Sequence, residues 1–143
     1  MAPSSRPLDG VAVLVVDDNF DTRHLLKVTL TQSGALTAVA ENGKDGLHLL
    51  TCMRVDVIVS DLLMPRFSGF DFIRAVRTET LTPDIPAIAL TAYDDPDARE
   101  AAMRAGFQSF RLKPFDVDAL VNEIAELGRS RQAARLARHA AAA

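Results

Sequence analysis

The chain predicts a doubly wound α/β fold with a parallel sheet. Three observations carry this. Short β-branched apolar runs alternate with helical patterns five times over. The clearest runs, VAVLVV at 11–16 and VDVIVS at 55–60, are too uniformly apolar for a half-solvated strand and read as strands covered on both faces. Each ends abruptly in carboxylates: Asp17 and Asp18 after the first, Asp61 after the second. Strand–helix alternation forces parallel pairing with right-handed crossovers, and such sheets gather their chemistry at the carboxyl ends of the strands.

Residues 1–9, rich in Pro and Ser, read as a loose lead-in. After the Val11–Val16 strand, Asp18 or Asn19 caps a helix whose inward face carries Leu26 and Leu30, with Leu25 beside them. Gly34 stops it. Leu36–Ala40 is a weaker strand, and Asn42 caps a short helix through Leu47, Leu49 and Leu50. Following Val55–Ser60, Ser68-Gly69 opens a helix with Phe72, Ile73 and Val76 inward. Ile85–Leu90 is the fourth strand, ending at Thr91. Asp94-Asp95-Pro96 starts the fourth helix, with carboxylates at the cap and proline in the first turn. Phe107–Leu112 is the fifth strand, ending at Lys113-Pro114. Asp116 caps a last helix through Leu120, Val121, Ile124 and Leu127. These elements make one domain over residues 10–128. Residues 129–143 form an Arg/Ala-rich helical extension or tail. Its arginines lie past the last apolar stripe and are expected in solvent.

Composition narrows the function classes. The 143 residues are 48% apolar and 24% charged, with a net charge of −3, which argues against general nucleic-acid binding. The single cysteine, Cys52, rules out a disulfide framework or a cysteine-based zinc site and reads as a small buried hydrophobe. No apolar run matches a membrane span or a signal peptide, so the expected compartment is cytoplasmic.

The strand ends carry Asp17-Asp18, Asp61, Thr91 and Lys113. A parallel sheet brings all of them to one rim. Three carboxylates repel each other unless a cation intervenes, and hard oxygen donors with room for water suit Mg²⁺. Lysine supplies a compact charge for phosphate and threonine a hydroxyl donor. A carboxylate can itself attack phosphorus and form an aspartyl phosphate.

VLVVDD, SDLLMP, ALTAY and FRLKPF, in that order and spacing, resemble the motifs of the receiver domain of two-component response regulators and hybrid histidine kinases. The match covers about residues 10–128. The resemblance implies a flavodoxin-like (βα)5 fold with strand order 2-1-3-4-5. It implies that Asp61 accepts a phosphoryl group from a histidine kinase or phosphotransfer domain. Asp18, Asp61 and the Leu63 carbonyl would hold Mg²⁺, with Asp17 acting through water. Lys113 would pair with the acceptor, and Lys113-Pro114 would be cis. Thr91 and Phe110 would switch a protein-binding surface built from the fourth helix, fifth strand and fifth helix. The first turns of the first helix, with Phe20, Arg23 and His24, would face the phosphodonor domain, although a lone exposed histidine is ordinary on a solvated face. Leu63 and Tyr93 lie where the family borders the hydrolytic water; neither orients water well, which implies slow phosphoryl loss. Met103 reads as core or rim packing, and Asp94, Asp95 and Asp97 as helix-start charges.

The expected function is therefore a regulated binding module rather than an enzyme, with no direct contact to nucleic acid or membrane. Output would run through protein contacts, or through domains outside this chain. An alternative is a Mg²⁺-dependent aspartyl-phosphate phosphohydrolase, which would need a carboxylate where Leu63 stands. A flavodoxin-like flavin binder would need a hydroxyl- and glycine-rich phosphate loop where the chain has VDDNFD.

Overall fold

A computed structural model describes residues 6–142. Five strands, β1 (Ala12–Val16), β2 (Leu36–Ala40), β3 (Val57–Ser60), β4 (Ala87–Thr91) and β5 (Ser109–Leu112), alternate with five helices. These are α1 (Phe20–Gln32), α2 (Gly43–Cys52), α3 (Gly69–Glu79), α4 (Pro96–Ala105) and α5 (Val117–Ala142). All strand pairs are parallel, in the order β2-β1-β3-β4-β5. The fold class and order are those expected. Among the described residues, no helix is long and apolar enough to cross a membrane.

The apolar runs at β1, β3 and β4 are buried at every position. Side-chain alternation sends them to opposite sides. Leu14, Val16 and Ile58 pack with Phe72, Ile73 and Val76 of α3, while Val13, Val15, Val57 and Val59 pack with Leu26 and Leu30 of α1 and Leu120 and Ile124 of α5. Each such fully buried side chain contributes about 1.5–3 kcal/mol, so these two half-cores hold the sheet.

Local signals place the helices. Asn19 and Asn42 accept the N–H groups of Thr22 and Asp45 at the starts of α1 and α2. Ser68 and Asp71 form a capping box on α3. Asp95 caps α4 ahead of Pro96, and Asp116 accepts from Ala119 N at the start of α5.

Four expectations change. Leu25 is 48% exposed, because only Leu26 and Leu30 share the inward stripe of α1. Cys52 is exposed: α2 turns Gly43 and Gly46 inward, against Phe67, Phe72 and Val16, and its last residue falls outside that face. Within the supposed lead-in, Leu8 is fully buried and its N–H donates to Ser33 O at 2.8 Å; residues 1–5 lie outside the described residues. Finally, α5 runs unbroken through Gly128, and its arginines do not face solvent as a set. Gly128 is a close-approach position: a Cβ there would meet Val11 Cγ1 at 2.8 Å. The helix thus passes tight under the start of β1 and carries Arg131, only 9% exposed, beneath the sheet. Among the residues expected to pack at the core or rim, Met103 is 44% exposed.

Candidate functional site

Register decides which side chains meet. Val16 pairs with Ser60, so β1 and β3 end level and Asp17 and Asp61 leave the sheet side by side. Thr91 pairs with Leu112, so Lys113 follows directly beside it. Backbone bonds fix the exits: Asp17 N donates to Ala40 O, Asp61 N to Val16 O, and Lys113 N to Thr91 O at 2.8 Å. Asp17, Asp18, Asp61, Thr91 and Lys113 therefore sit on one rim, as their places at the strand ends demand.

Carboxylate oxygens of Asp17, Asp18 and Asp61 lie within 4.8 Å of one another, the one such acidic group among the described residues. Asp17 and Asp61 are buried and Asp18 is exposed, so the cluster opens to water on one side. Lys113 Nζ stands 2.7 Å from Asp17 Oδ2 and 3.4 Å from Asp61 Oδ2. It favours the deeper carboxylate over Asp61, the expected acceptor. The second Asp17 oxygen accepts from Asn19 N at 2.8 Å, and Asp61 Oδ1 accepts from Leu62 N and Leu63 N. Burial pushes the Asp17 carboxyl above the usual carboxylate range; Lys113 and the Asn19 N–H oppose this without overcoming it. One ammonium thus faces three carboxylates at a partly desolvated rim.

The remaining predicted residues lie on elements that end or begin at this rim. Thr91 is 1% exposed and its Oγ1 accepts from Tyr93 N. Phe110, three residues before Lys113, is 8% exposed, and the Arg99 guanidinium of α4 covers its ring at 4.8 Å. Leu63 and Tyr93 are exposed, and Tyr93 OH donates to Asp95 at 3.0 Å. Phe20 is 66% exposed and stacks on His24, with Arg23 over the same ring. The Lys113-Pro114 bond is cis, as expected.

Two supporting roles, of Arg23 and Gly69, are not legible in the sequence. Arg23 Nη1 donates to Asp17 O at 2.8 Å and so anchors the first acidic turn. Gly69 admits the chain beneath the end of β3, since a Cβ there would fall on Asp61 O. A glycine ahead of a helix reads locally as a cap, and nothing local distinguishes it from a contact to a strand end.

Comparison with known proteins agrees with this geometry. Residues 13–125 match the response regulator receiver domain family. The chain is 45% identical over 104 residues to a 14.6 kDa protein of Leptolyngbya boryana, covering 73% of this chain and 79% of that one. It is 34% identical to the response regulator MprA of Mycolicibacterium vanbaalenii over 78% of this chain, but spans only 47% of that protein. Among solved structures, the chemotaxis protein CheY4 of Vibrio cholerae superposes with a TM-score of 0.77 at 30% identity, covering 82% of this chain and 98% of that one. A Francisella receiver domain gives 0.78 at 29% identity, covering 85% and 98%. Five parallel strands in this order, an acidic rim with its lysine, and a family match over most of the length lead to one conclusion: the chain belongs to the response regulator receiver domains, the phosphoacceptor modules of two-component signalling.

Proposed function

We propose that Asp61 is the phosphoacceptor and that Asp17, Asp18 and Asp61 hold a Mg²⁺ ion during transfer. One observation carries the reading: a nearly buried carboxylate at the end of a central strand, shared between a lysine ammonium and two further carboxylates. The donor set fits the metal. Its oxygens are hard, close-set and open to water through the exposed Asp18. Bound there, Mg²⁺ would offset the negative charge of carboxylates and phosphoryl oxygens together.

The chain's own residues do the rest. Asp61 is held by two backbone N–H groups on Oδ1, which leaves Oδ2 to face Lys113. In transfer from a phosphohistidine, the new P–O bond forms to Asp61 while the P–N bond breaks and the imidazole departs. Lys113 stabilises the charge spread over the equatorial oxygens, so positioning and electrostatics dominate. The product adds roughly 1.5–2 negative charges to the rim. Thr91, at the end of β4, would donate its hydroxyl to them, and the Phe110 ring under Arg99 would follow as the packing element. The α4–β5–α5 face is then the output surface, and Phe20, Arg23 and His24 form the edge that meets a kinase or phosphotransfer domain in the cytoplasm.

Incubation with Mg²⁺ and acetyl phosphate, read as intact mass, tests the acceptor. A phosphoryl adduct is expected in the native chain and none in Asp61→Asn; an equal adduct in the variant overturns the assignment. Leu63 and the Asp95-tethered Tyr93 leave no group at the mouth to orient water, so the adduct is expected to be long-lived. Leu63→Asn and Tyr93→Glu are expected to shorten its half-life, and unchanged decay in both refutes that account.

A further inference from the structure

The base of the sheet carries a second charged cluster, and α5 reaches it. Asp56, fully buried ahead of β3, accepts Ala12 N at 2.9 Å, Gln132 Nε2 at 3.2 Å and Arg135 Nη1 at 3.1 Å. Asp84, ahead of β4, pairs with Arg131 and with Arg138 at 2.8 Å. Arg129 donates to Pro7 O and Gln132 to Gly10 O. A merely long helix does not bury an arginine; charged side chains are found inside only when paired. The segment beyond Gly128 is docked.

The docking point is shared. Arg77 at the end of α3 donates to Pro83 O and Ile85 O, on either side of Asp84, and also to Gly106 O and Gln108 Oε1 at the α4–β5 turn. One three-residue loop is thus gripped by Arg77 from α3, itself tied to the α4–β5 turn, and by Arg131 and Arg138 from α5. The helix itself joins both ends of the molecule. Its first turns belong to the output face, and its 26 residues span about 39 Å at 1.5 Å per residue. A tilt of about 5° at the first turn displaces the far end by about 3 Å, more than a hydrogen bond tolerates.

We propose that residues 129–141 form an arginine latch that senses the phosphorylation state: phosphoryl uptake at Asp61 loosens the docking on Asp56 and Asp84, and loss of the docking acts back on the rim. This rests on the α4–β5–α5 reading of the output face. Reciprocity follows because coupling between two sites is a shared free energy.

The test is amide hydrogen exchange over residues 129–141, with adduct formation followed by intact mass in the same samples. Asp84→Asn and Arg138→Gln suit it, because both side chains are partly exposed and the core is untouched. Acetyl phosphate with Mg²⁺ is expected to speed exchange in this segment several-fold. Asp84→Asn alone is expected to do the same, with little further change on phosphorylation. An adduct that leaves the segment's exchange unaltered overturns the latch while sparing the acceptor. Unaltered exchange in both variants overturns it whether or not an adduct forms. Absence of any adduct defeats the acceptor reading, and with it the coupling, whatever the variants show.

Discussion

The two edges of the sheet handle charge in opposite ways. At the carboxyl edge, three carboxylates cluster around one lysine that pairs with only two of them, Asp17 and Asp61, and the deepest, Asp17, is pushed up by burial. At the amino edge, Asp56 and Asp84 share Arg131, Arg135 and Arg138, and Asp84 is pulled down to about 2, chiefly by its hydrogen bond from Arg138. At the base both carboxylates are paired, with arginines to spare, and those pairs hold structure together. Unmatched charge at the rim is a standing demand for a cation and a poised nucleophile. A surplus of like charge in a partly buried place is a cost that folding alone does not explain, and it marks the functional end of the sheet.

The sharpest way to break the comparison is to remove one carboxylate from the base. Asp56→Ala strips the partner from Ala12 N–H, Gln132 and Arg135 at once. Breaking a buried pair costs about 3–5 kcal/mol, and the 31% exposure of Arg135 places this case at the lower end. Asp84→Ala, whose side chain is 48% exposed, should cost no more than about 1 kcal/mol. Urea midpoints of the two variants check this. Equal losses would mean that burial does not separate the two anchors.

The rim should respond to a cation and the base should not. At a free Mg²⁺ concentration one hundred times the dissociation constant, the native chain should gain about 2.7 kcal/mol against urea. Asp18→Asn should lose most of that gain, and Asp84→Asn should keep it. A gain that survives Asp18→Asn would place the ion elsewhere.

The parallel α/β class, the caps and the acidic rim are legible in the sequence, because each rests on local signals or on the geometry of parallel sheets, whereas the strand order follows only from the resemblance to receiver domains. VLVVDD and VIVSD announce both their burial and their charged ends. The base cluster was not legible. Asp56 looks like a polar interruption in an apolar run, and Asp84 like a turn residue. Their arginines lie 79 and 54 positions further on, at Arg135 and Arg138. Such pairs leave no mark on periodicity. Gly128 is silent for a related reason: nothing local to it signals that α5 passes Val11 so closely that a Cβ would meet Cγ1. The inward reading of Cys52 rests on residue type alone, and the inward face of α2 is shared by its glycines with Leu47, Leu49 and Leu50.

Acid separates the two edges by the sign of their response. Asp84 has a folded value near 2 against 3.8 for the free group, so its contribution is present above 3.8 and is lost as pH falls toward 2. Its exposure and the screening of its ion pairs keep that contribution small. Asp17 shifts the other way. Its folded carboxyl binds a proton more tightly than the unfolded one, so it carries a penalty at neutral pH that is relieved as pH falls through its raised value. Without divalent cation, urea midpoints measured from pH 7 to pH 2 should therefore diverge between variants. Relative to the native chain, Asp84→Asn should lose stability above pH 4 and converge with it near pH 2. Asp17→Asn should carry a smaller acid-linked gain on descending from neutral pH, since it lacks the carboxyl that takes up the proton. Parallel pH profiles for the two variants would show that the edges do not differ in the way their charge balance requires.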